Sequence, residues 1–274
     1  MRYLPTLLVS AAILAGCGGS SDNPAGPSSD SPVSVKAESQ TLADLSTVVE
    51  VSSAVSDTPG WVTVHEDQGG TYGEVLGWTH VDAGTSEDVK VALSRPATDG
   101  EVLHAVLHVD AGAAGVFESP GADTVAHDTL NAAVADSFAV AVPSGTPAVR
   151  IRATTLGMTA YTFPTVEPAT FASVVGPEND NESLRFEAGW RYEIVNASST
   201  AHPLEIVRKG ATPLGDAVLL SQAVNGSLES DPSVAWFQGG STMRFTASAA
   251  LRAEANGYRC SIHISTMRGD LSFE

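Results

Sequence analysis

The sequence predicts an all-β protein made of two tandem β-sandwich domains, and three observations lead to that fold class. Short runs rich in Val, Thr, Ile and Phe recur between Gly, Pro and Asp residues, and most alternate with the period of two expected of half-buried strands. Helical periodicity is scarce, and only residues 122–136 and 216–226 are predicted to form short helices. The length of 274 residues exceeds the common size of one domain, so two sandwiches are expected.

The predicted strands follow one another along the chain after residue 60. In order they are WVTVHED (61–67), DVKVALS (88–94), VLHAVLHVD (102–110), SFAVAVP (137–143), AVRIRAT (148–154), LRFEAGWRYEIVNAS (184–198), TMRFTASA (242–249), YRCSIHI (258–264) and GDLSFE (269–274). A Pro/Gly cluster, VPSGTPA (142–148), interrupts the series. It predicts the boundary between a first domain at 42–145 and a second at 148–274.

The first residues have the pattern of a secretory signal, in which Arg2 precedes an apolar run at 7–14 that is too short to cross a bilayer. Leu-Ala-Gly-Cys at 14–17 resembles the bacterial and archaeal lipobox, which implies a signal peptide at 1–16 and lipidation of Cys17. The alternative is an ordinary cleaved signal followed by an accidental cysteine. We expect an extracytoplasmic lipoprotein, periplasmic or at the cell surface, whose lipid anchor is its only contact with the membrane.

Residues 17–41 are rich in Gly, Ser, Asp and Pro and are predicted to be a flexible polar linker. No later run approaches the length of a transmembrane helix. The linker would therefore separate the folded part of the protein from the anchored cysteine.

The charge balance limits the classes of partner. Asp and Glu number 32 against 14 Lys and Arg, which gives a formal net charge of −18. Because phosphate binding needs clustered cations, nucleic acid and anionic lipid are excluded as partners. The chain has no P-loop, no Gly-x-Ser-x-Gly and no His-Glu-x-x-His motif, so we expect that it is not an enzyme.

The two cysteines, Cys17 and Cys260, point to a metal. If Cys17 carries lipid, Cys260 has no possible intrachain partner in a compartment where bare thiols oxidise. Cys260, His263 and Met267 offer a thiolate, an imidazole and a thioether within eight residues. Blue-copper centres use these three groups and a second imidazole, which His202 offers from a loop after a predicted strand.

Two other interpretations stay open at this point. Cys260, His263 and Met267 could be a buried small hydrophobe, a surface imidazole and a core thioether. Zinc is the competing metal, although a structural zinc site would use a second thiolate or another hard ligand in place of a thioether. Copper is favoured because the spacing of soft ligands and the compartment agree.

Residues 148–274 resemble the cupredoxin, or type 1 copper, family. The family pattern is an upstream histidine after a strand that ends in Asn, then Tyr-x-Cys-x-x-His, a few residues, Met-x-Gly and a last strand. The matching positions in this chain are His202, Tyr258, Cys260, His263, Met267 and Gly269. The resemblance implies a Greek-key sandwich with one type 1 copper ion bound by His202, Cys260, His263 and, axially, Met267.

A complete set of four protein ligands would leave no coordination position for a substrate. We therefore expect electron transfer, with a redox partner protein that docks transiently through a small interface. Copper storage, or delivery to a copper-accepting protein, is the second hypothesis because it uses the same ligands. The third is a cell-surface binding or adhesion module whose cupredoxin fold holds no metal.

The N-terminal half carries a second resemblance, on WVTVHED (61–67), VLGWTHVDAGTSEDVKVAL (75–93) and LHAVLHVDAG (103–112). These segments are similar to a domain of unknown function that is frequent in secreted haloarchaeal and some bacterial proteins. The resemblance implies a β-sandwich and no activity.

Four histidines of this half, His65, His80, His104 and His108, raise the question of a second metal site. His104 and His108 project from the same face of one predicted strand. Because no thiolate accompanies them and their spacing fits no fixed metal motif, we expect hydrogen-bonded strand residues instead.

Overall fold

The computed structural model describes residues 33–176 and 180–274, and it confirms the all-β prediction. The strands are β1 (Ser34–Lys36), β2 (Gln40–Thr41), β3 (Val48–Ser56), β4 (Gly60–Asp67), β5 (Tyr72–Val81), β6 (Gly84–Ala92), β7 (Val102–Val109), β8 (Ala135–Ala141), β9 (Val149–Leu156), β10 (Ala160–Glu167), β11 (Leu184–Phe186), β12 (Arg191–Asn196), β13 (Leu204–Arg208), β14 (Ala217–Ser221), β15 (Phe237–Gly239), β16 (Thr242–Thr246), β17 (Gly257–Cys260) and β18 (Arg268–Phe273). The helical elements are α1 (Ala249–Glu254) and two 3-10 segments, Ala169–Val174 and Pro213–Gly215.

The N-terminal half consists of a three-stranded sheet in the order β1-β3-β6 and a five-stranded sheet in the order β2-β8-β7-β4-β5. Side chains alternate along β4, so Val62 and Val64 enter the core shared by the two sheets. Val51 of β3 and Leu103 and Leu107 of β7 pack in the same core, as expected of a β-sandwich.

Strands β4 and β7 are buried on both faces, whereas the sequence pattern predicts half-buried strands. The outer face carries Thr63 and His65 on β4 and His104 and His108 on β7, and all four are buried. Phe117 packs on this face, where its ring contacts the rings of Trp61 and His108. Part of the connecting segment 110–134 therefore covers the outer face of β4 and β7.

The helix predicted at residues 122–136 is wrong. The described backbone there forms isolated bridges and a turn, in which Asn131 adopts the left-handed conformation with φ 63°. The Asp128 carboxylate accepts the backbone N–H groups of Leu130 (2.8 Å) and Ala132 (2.8 Å). Asp side chains compete with helix formation in this way, because they offer backbone N–H groups a local acceptor.

The C-terminal half consists of two five-stranded sheets, with the orders β10-β9-β12-β16-β15 and β11-β18-β17-β13-β14. The pairs β9/β12 and β11/β18 are parallel, and the other pairs are antiparallel. Both sheets contribute to one core, in which Tyr161, Tyr192 and Tyr258 are fully buried. This packing confirms the predicted β-sandwich.

The helix predicted at residues 216–226 is also wrong, because Ala217–Ser221 is the edge strand β14, paired with β13. The chain then turns back along β14, where Leu228 donates its backbone N–H to the carbonyl of Leu219 (3.0 Å). Gly226 lies at this close approach, since a Cβ at that position would overlap the carbonyl of Leu219. The backbone of this apolar run forms hydrogen bonds on both sides, so its N–H and C=O groups are satisfied without a helix.

The two cores divide along the chain, one formed by residues between 33 and 142 and the other by residues between 148 and 273. Contacts join the two halves, and two of them each involve a residue just after this division in the sequence. The Thr47 hydroxyl donates to the carbonyl of Ala148 (2.6 Å), and Arg150 forms an ion pair with Asp44 (2.7 Å). In residues 33–176 and 180–274, no helix is long and apolar enough to span a membrane.

Candidate metal centre

Pairing between β13 and β17 brings His202 to Cys260 across 58 residues of sequence. Leu204 lies opposite Cys260 in this antiparallel ladder, and His202 stands two residues before Leu204. The backbone N–H of His202 donates to the carbonyl of Ser198 (2.7 Å), and Ser261 donates to the carbonyl of Pro203 (3.0 Å). The turn before β13 and the chain after β17 are therefore held side by side.

The loop between β17 and β18 places the remaining predicted ligands. Cys260 donates its backbone N–H to the carbonyl of Met267 (2.8 Å), and Met267 donates to the carbonyl of His263 (3.0 Å). Thr266 also donates to the carbonyl of His263 (3.2 Å). These three bonds close a compact loop that projects His263 beside the end of β17.

The side chains of His202, Cys260 and His263 form a triangle of donor atoms. The two Nδ1 atoms are 3.1 Å apart, and the Sγ atom of Cys260 lies 3.9 Å from Nδ1 of His202 and 3.6 Å from Nδ1 of His263. The two imidazole rings are 4.8 Å apart between centroids, with 35° between their planes. Among the residues that the structure describes, this is the one His/Cys/Asp/Glu group that could hold a metal ion.

The triangle has the dimensions that a first-row metal requires. Bonds of about 2.0–2.1 Å to imidazole nitrogen and about 2.3 Å to thiolate sulfur, at trigonal to tetrahedral angles, separate ligand atoms by about 3.3–3.8 Å. The three observed separations lie at or close to this range. A thiolate with two imidazoles is a soft to borderline donor set, which suits copper and zinc. The residues present therefore fit a metal ion.

Burial supports the neutral, metal-binding form of the ring at His202. Cys260 is fully buried, His202 is buried, and His263 is half-buried. Burial, and after it the neighbouring His263, lowers the pKa of His202 below its ordinary value. Since a metal binds the unprotonated imidazole, this shift keeps His202 available as a ligand near neutral pH.

Of the other two predicted site residues, the structure describes Met267 but not Cys17. Met267 is fully buried in the core of the C-terminal half, with its backbone bonded to that of Cys260. Cys17 lies outside the described residues. The structure thus brings three predicted donors together and places Met267 on the loop that connects two of them.

The framework positions Tyr258 and Gly269 are opposite one another in the β17/β18 ladder. A Cβ at position 269 would overlap the ring of Tyr258, so the ring needs a glycine there. The hydroxyl of Tyr258 donates to the carbonyl of Glu182 (2.5 Å). These contacts fix the strand that ends at Cys260.

The sequence pattern did not single out Tyr161 or Gln222, which support His202. The carbonyl of His202 accepts the hydroxyl of Tyr161 (2.6 Å) and the side-chain N–H of Asn196 (2.7 Å). Gln222 accepts from the Asn196 side chain (2.9 Å) and from the backbone of Leu204 (3.0 Å). Only Asn196 had a sequence signal, as the Asn that ends the strand before the first ligand.

The four histidines of the N-terminal half are engaged by the protein. The carbonyl of Gly73 accepts from Nδ1 of His65 (2.8 Å), Asp67 from Nε2 of His104 (2.8 Å) and the carbonyl of Asp123 from Nδ1 of His108 (3.2 Å). Nε2 of His80 lies 3.7 Å from the carboxylate of Asp110, and the buried Nε2 of His108 has no hydrogen-bond partner among the described residues. Within 33–176 and 180–274 these residues form no group with metal-binding spacing. The geometry agrees with hydrogen-bonded strand residues.

Comparison with known proteins bears on the N-terminal half. Residues 33–141 match the model of a domain of unknown function (DUF7282), in agreement with the resemblance noted in the sequence. The match does not extend into the half that contains His202, Cys260 and His263. No curated protein matches the chain.

Among solved structures, the chain is similar to Fet3p, a multicopper oxidase that functions in iron import. The identity is 13%, and the TM-score is 0.21 over 88% of this chain and 58% of that one. The chain thus spans less than two thirds of the length of that protein. With so low a TM-score, the fold assignment rests on the sheets and cores described above.

Proposed function

We propose that the protein binds one copper ion, which His202, Cys260, His263 and Met267 would hold, and that it transfers electrons. The observation that supports this proposal most strongly is the buried Sγ/Nδ1/Nδ1 triangle, whose edges measure 3.1, 3.6 and 3.9 Å. Copper, when bound, supplies a one-electron couple. The chain supplies a thiolate, two imidazoles and a rigid support for them.

The support restricts movement of the donors. Two strands paired in the β13/β17 ladder fix His202 relative to Cys260, and the loop bonds from Met267 fix His263. A donor set that stays in place when its charge changes needs little rearrangement, which favours electron transfer. The same rigidity slows release of a metal, which argues against delivery.

Access to the centre favours electron transfer over catalysis. Cys260 and Met267 are fully buried and His202 is buried, so only the half-buried His263 offers a route to the surface. A substrate would have to displace one of these packed side chains. We therefore propose that the protein is not an enzyme.

An exposed apolar surface next to the metal loop suits a transient redox partner. Ile262, between two of the donors, is 58% exposed, and Met158 on the β9/β10 turn is 64% exposed. The hydroxyl of Thr266 donates to the carbonyl of Met158 (2.8 Å), which ties this turn to the loop. A small apolar contact at this end would bring a partner protein close to His263.

We also propose that a lipid on Cys17 holds the protein at the outer face of a membrane. Support comes from the sequence at residues 1–17, which precedes the described part of the chain. Cys17→Ser should move the protein from the membrane fraction to the soluble fraction of the host cell. Retention of this variant in the membrane would contradict the anchor and leave the copper proposal intact.

The copper proposal is tested on the purified protein carrying Cys17→Ala, so that Cys260 is the only thiol. Addition of Cu(II) should produce an intense visible thiolate-to-copper absorption band, and Cys260→Ala should abolish it. His104→Ala is the matched control, since His104 is a buried histidine that pairs with Asp67, and it should keep the band. A colourless parent protein, or a band that survives Cys260→Ala, would contradict the copper proposal.

Release kinetics then separate electron transfer from copper storage or delivery. The copper-loaded protein is mixed with an excess of chelator, and loss of the absorption band is followed. We expect release over hours and a reversible midpoint potential by voltammetry. Complete release within seconds would instead identify a copper-delivery protein.

A further inference from the structure

The main chain of His202 is held by two buried donors from different strands. The hydroxyl of Tyr161, on β10, donates to the His202 carbonyl at 2.6 Å, and the side chain of Asn196, at the end of β12, donates to the same oxygen at 2.7 Å. A carbonyl oxygen has two lone pairs, so these two bonds satisfy it fully. Tyr161 is therefore half of the anchor that sets the position of this donor.

The ring of Tyr161 cannot easily move. It is fully buried, with ring centroids 6.0 Å from Tyr258 and 6.3 Å from Phe163. Its hydroxyl donates to the carbonyl of His202, and Tyr161 belongs to the same core as the buried side chain of Cys260.

A second path ties the same strand to the other imidazole. The backbone N–H of Tyr161 donates to the side-chain oxygen of Asn181 (3.1 Å), and the Asn181 amide donates to the carbonyl of Thr266 (2.8 Å). Thr266 belongs to the loop that projects His263, and its backbone is bonded to the carbonyl of His263 (3.2 Å). The start of β10 is therefore connected to both imidazole donors.

We propose that Tyr161 is a positioning residue of the metal centre, which fixes His202 against Cys260 through its hydroxyl and the ligand loop through its backbone. The inference rests on the proposed copper binding. The role of Tyr161 depends on its hydroxyl oxygen. A phenylalanine at this position would keep the packing and the backbone bond to Asn181 but lose the bond to the His202 carbonyl.

The test is Tyr161→Phe in the Cys17→Ala background. Loss of one buried hydrogen bond to the carbonyl should weaken copper binding by about three- to tenfold and speed its release by a similar factor. The thiolate-to-copper band should also shift, because its energy depends on the position of His202 relative to Cys260. A loss of general stability alone would leave the band of the folded protein unchanged.

Tyr192→Phe is the matched control. Tyr192 is equally buried and its hydroxyl is also hydrogen-bonded to the main chain, but it accepts the backbone N–H of Glu187 (2.7 Å), which belongs to neither path to the donors. We expect this variant to lose stability and to keep the parental band and release rate. If Tyr161→Phe keeps them as well, or both variants shift them equally, Tyr161 has no positioning role.

A readout without metal separates this inference from the copper proposal. In the metal-free protein the reaction of Cys260 with a thiol reagent should be faster in Tyr161→Phe than in the parent, because the turn that carries His202 next to the sulfur is held less firmly. Tyr192→Phe should react at the parental rate. A parent that binds no copper would overturn the proposed function, whereas equal thiol reactivity in all three proteins would overturn the role of Tyr161.

Discussion

Buried histidines occur in both halves of the described chain, but their ring nitrogens meet different neighbours. In the N-terminal half, Nδ1 of His65 and Nδ1 of His108 donate to backbone carbonyls, and His104 bonds to a carboxylate. In the C-terminal half, the Nδ1 atoms of His202 and His263 face each other and a thiol. An imidazole is a ligand candidate when its nitrogen points at other donor atoms, whereas the buried Nε2 of His108, which has no partner among the described residues, joins no group of three donors.

The sheets explain this difference. On β4 and β7 the histidines lie at ladder positions, where His65 is opposite His104 and His108 is opposite Trp61. At the other site, His202 precedes β13, Cys260 is the last residue of β17 and His263 follows it, so the two rings extend beyond the ladder. Side chains at strand ends can converge on a point, whereas side chains along a ladder stand side by side.

Replacing one histidine in each half by alanine is the strongest test of this comparison. His202→Ala should lower copper affinity by more than about a hundredfold, because even changes to the groups that support a ligand cost about 10- to 100-fold. His104→Ala should leave the affinity unchanged and cost about 1 kcal/mol of stability through its lost bond to Asp67. Titration calorimetry with copper measures both, and equal affinities would remove the distinction between the two groups.

Gly269→Ala should produce the largest loss of stability. The new Cβ would overlap the fully buried ring of Tyr258, and overpacking of this kind costs about 2–3 kcal/mol. Urea unfolding followed by fluorescence measures the change in the free energy of unfolding.

Gly240→Ala serves as the control for the glycine substitution itself. Gly240 also lies in the C-terminal half, has φ 58° and would place its Cβ in open space, so only backbone strain of about 1 kcal/mol is expected. If both variants lose the same stability, the contact with Tyr258 is not what requires Gly269.

Lowering the pH should destabilise the folded protein through protonation of His65 and His108 in the N-terminal half. Burial lowers the pKa of both residues below 6.5, so the unfolded chain binds more protons than the folded protein once the pH falls below that value. The contribution of His65 and His108 to the free energy of unfolding of the metal-free protein is therefore fully present above pH 6.5. It is lost as the pH falls toward the folded-state pKa values of the two residues. Thermal unfolding at several pH values measures the slope.

The double variant His65→Gln, His108→Gln removes both titrating groups and is the control for this slope. The pH dependence of its melting temperature between about pH 6.5 and 5 should be flatter than that of the parent. A slope identical to the parental one would assign the acid sensitivity to other groups.

Asp44→Asn should have the smallest effect, although Asp44 joins the two halves. Its side chain is 77% exposed, and exposed ion pairs contribute less than about 1 kcal/mol. Arg150 would keep its ion pairs with Glu167 and the buried Glu193. A loss greater than about 2 kcal/mol in urea unfolding would show that the contact between the halves matters more than its exposure suggests.

Much of the candidate site could be predicted because its donors are few and local. Cys260, His263 and Met267 fall on one short loop, and their residue types alone specify soft-metal chemistry. His202 was found through the strand before it. Each predicted strand segment overlaps a strand, since a half-buried strand must alternate apolar and polar residues, but β3, β5 and β10 were not predicted and β14 was predicted as a helix.

The remaining features depend on contacts that leave no local pattern. Tyr161 lies in β10 among ordinary core residues, and only the packing of the two sheets brings its hydroxyl to a residue 41 positions away. The helix predicted at 122–136 failed because the Asp128 carboxylate stabilises a turn. Double burial of β4 was missed because Phe117, which is distant in sequence, packs against Trp61 on its outer face.

The β13/β17 ladder also determines when the donors meet as the chain folds. In an unfolded chain, Cys260, His263 and Met267 remain within eight residues and would offer a metal ion only a weak local chelate, while His202 is 58 residues away from Cys260. His202 joins only when β13 pairs with β17. Whatever affinity His202 adds is therefore expressed in the folded state alone and stabilises it by mass action. Metal captured early by the short segment would thus draw the two distant strands together.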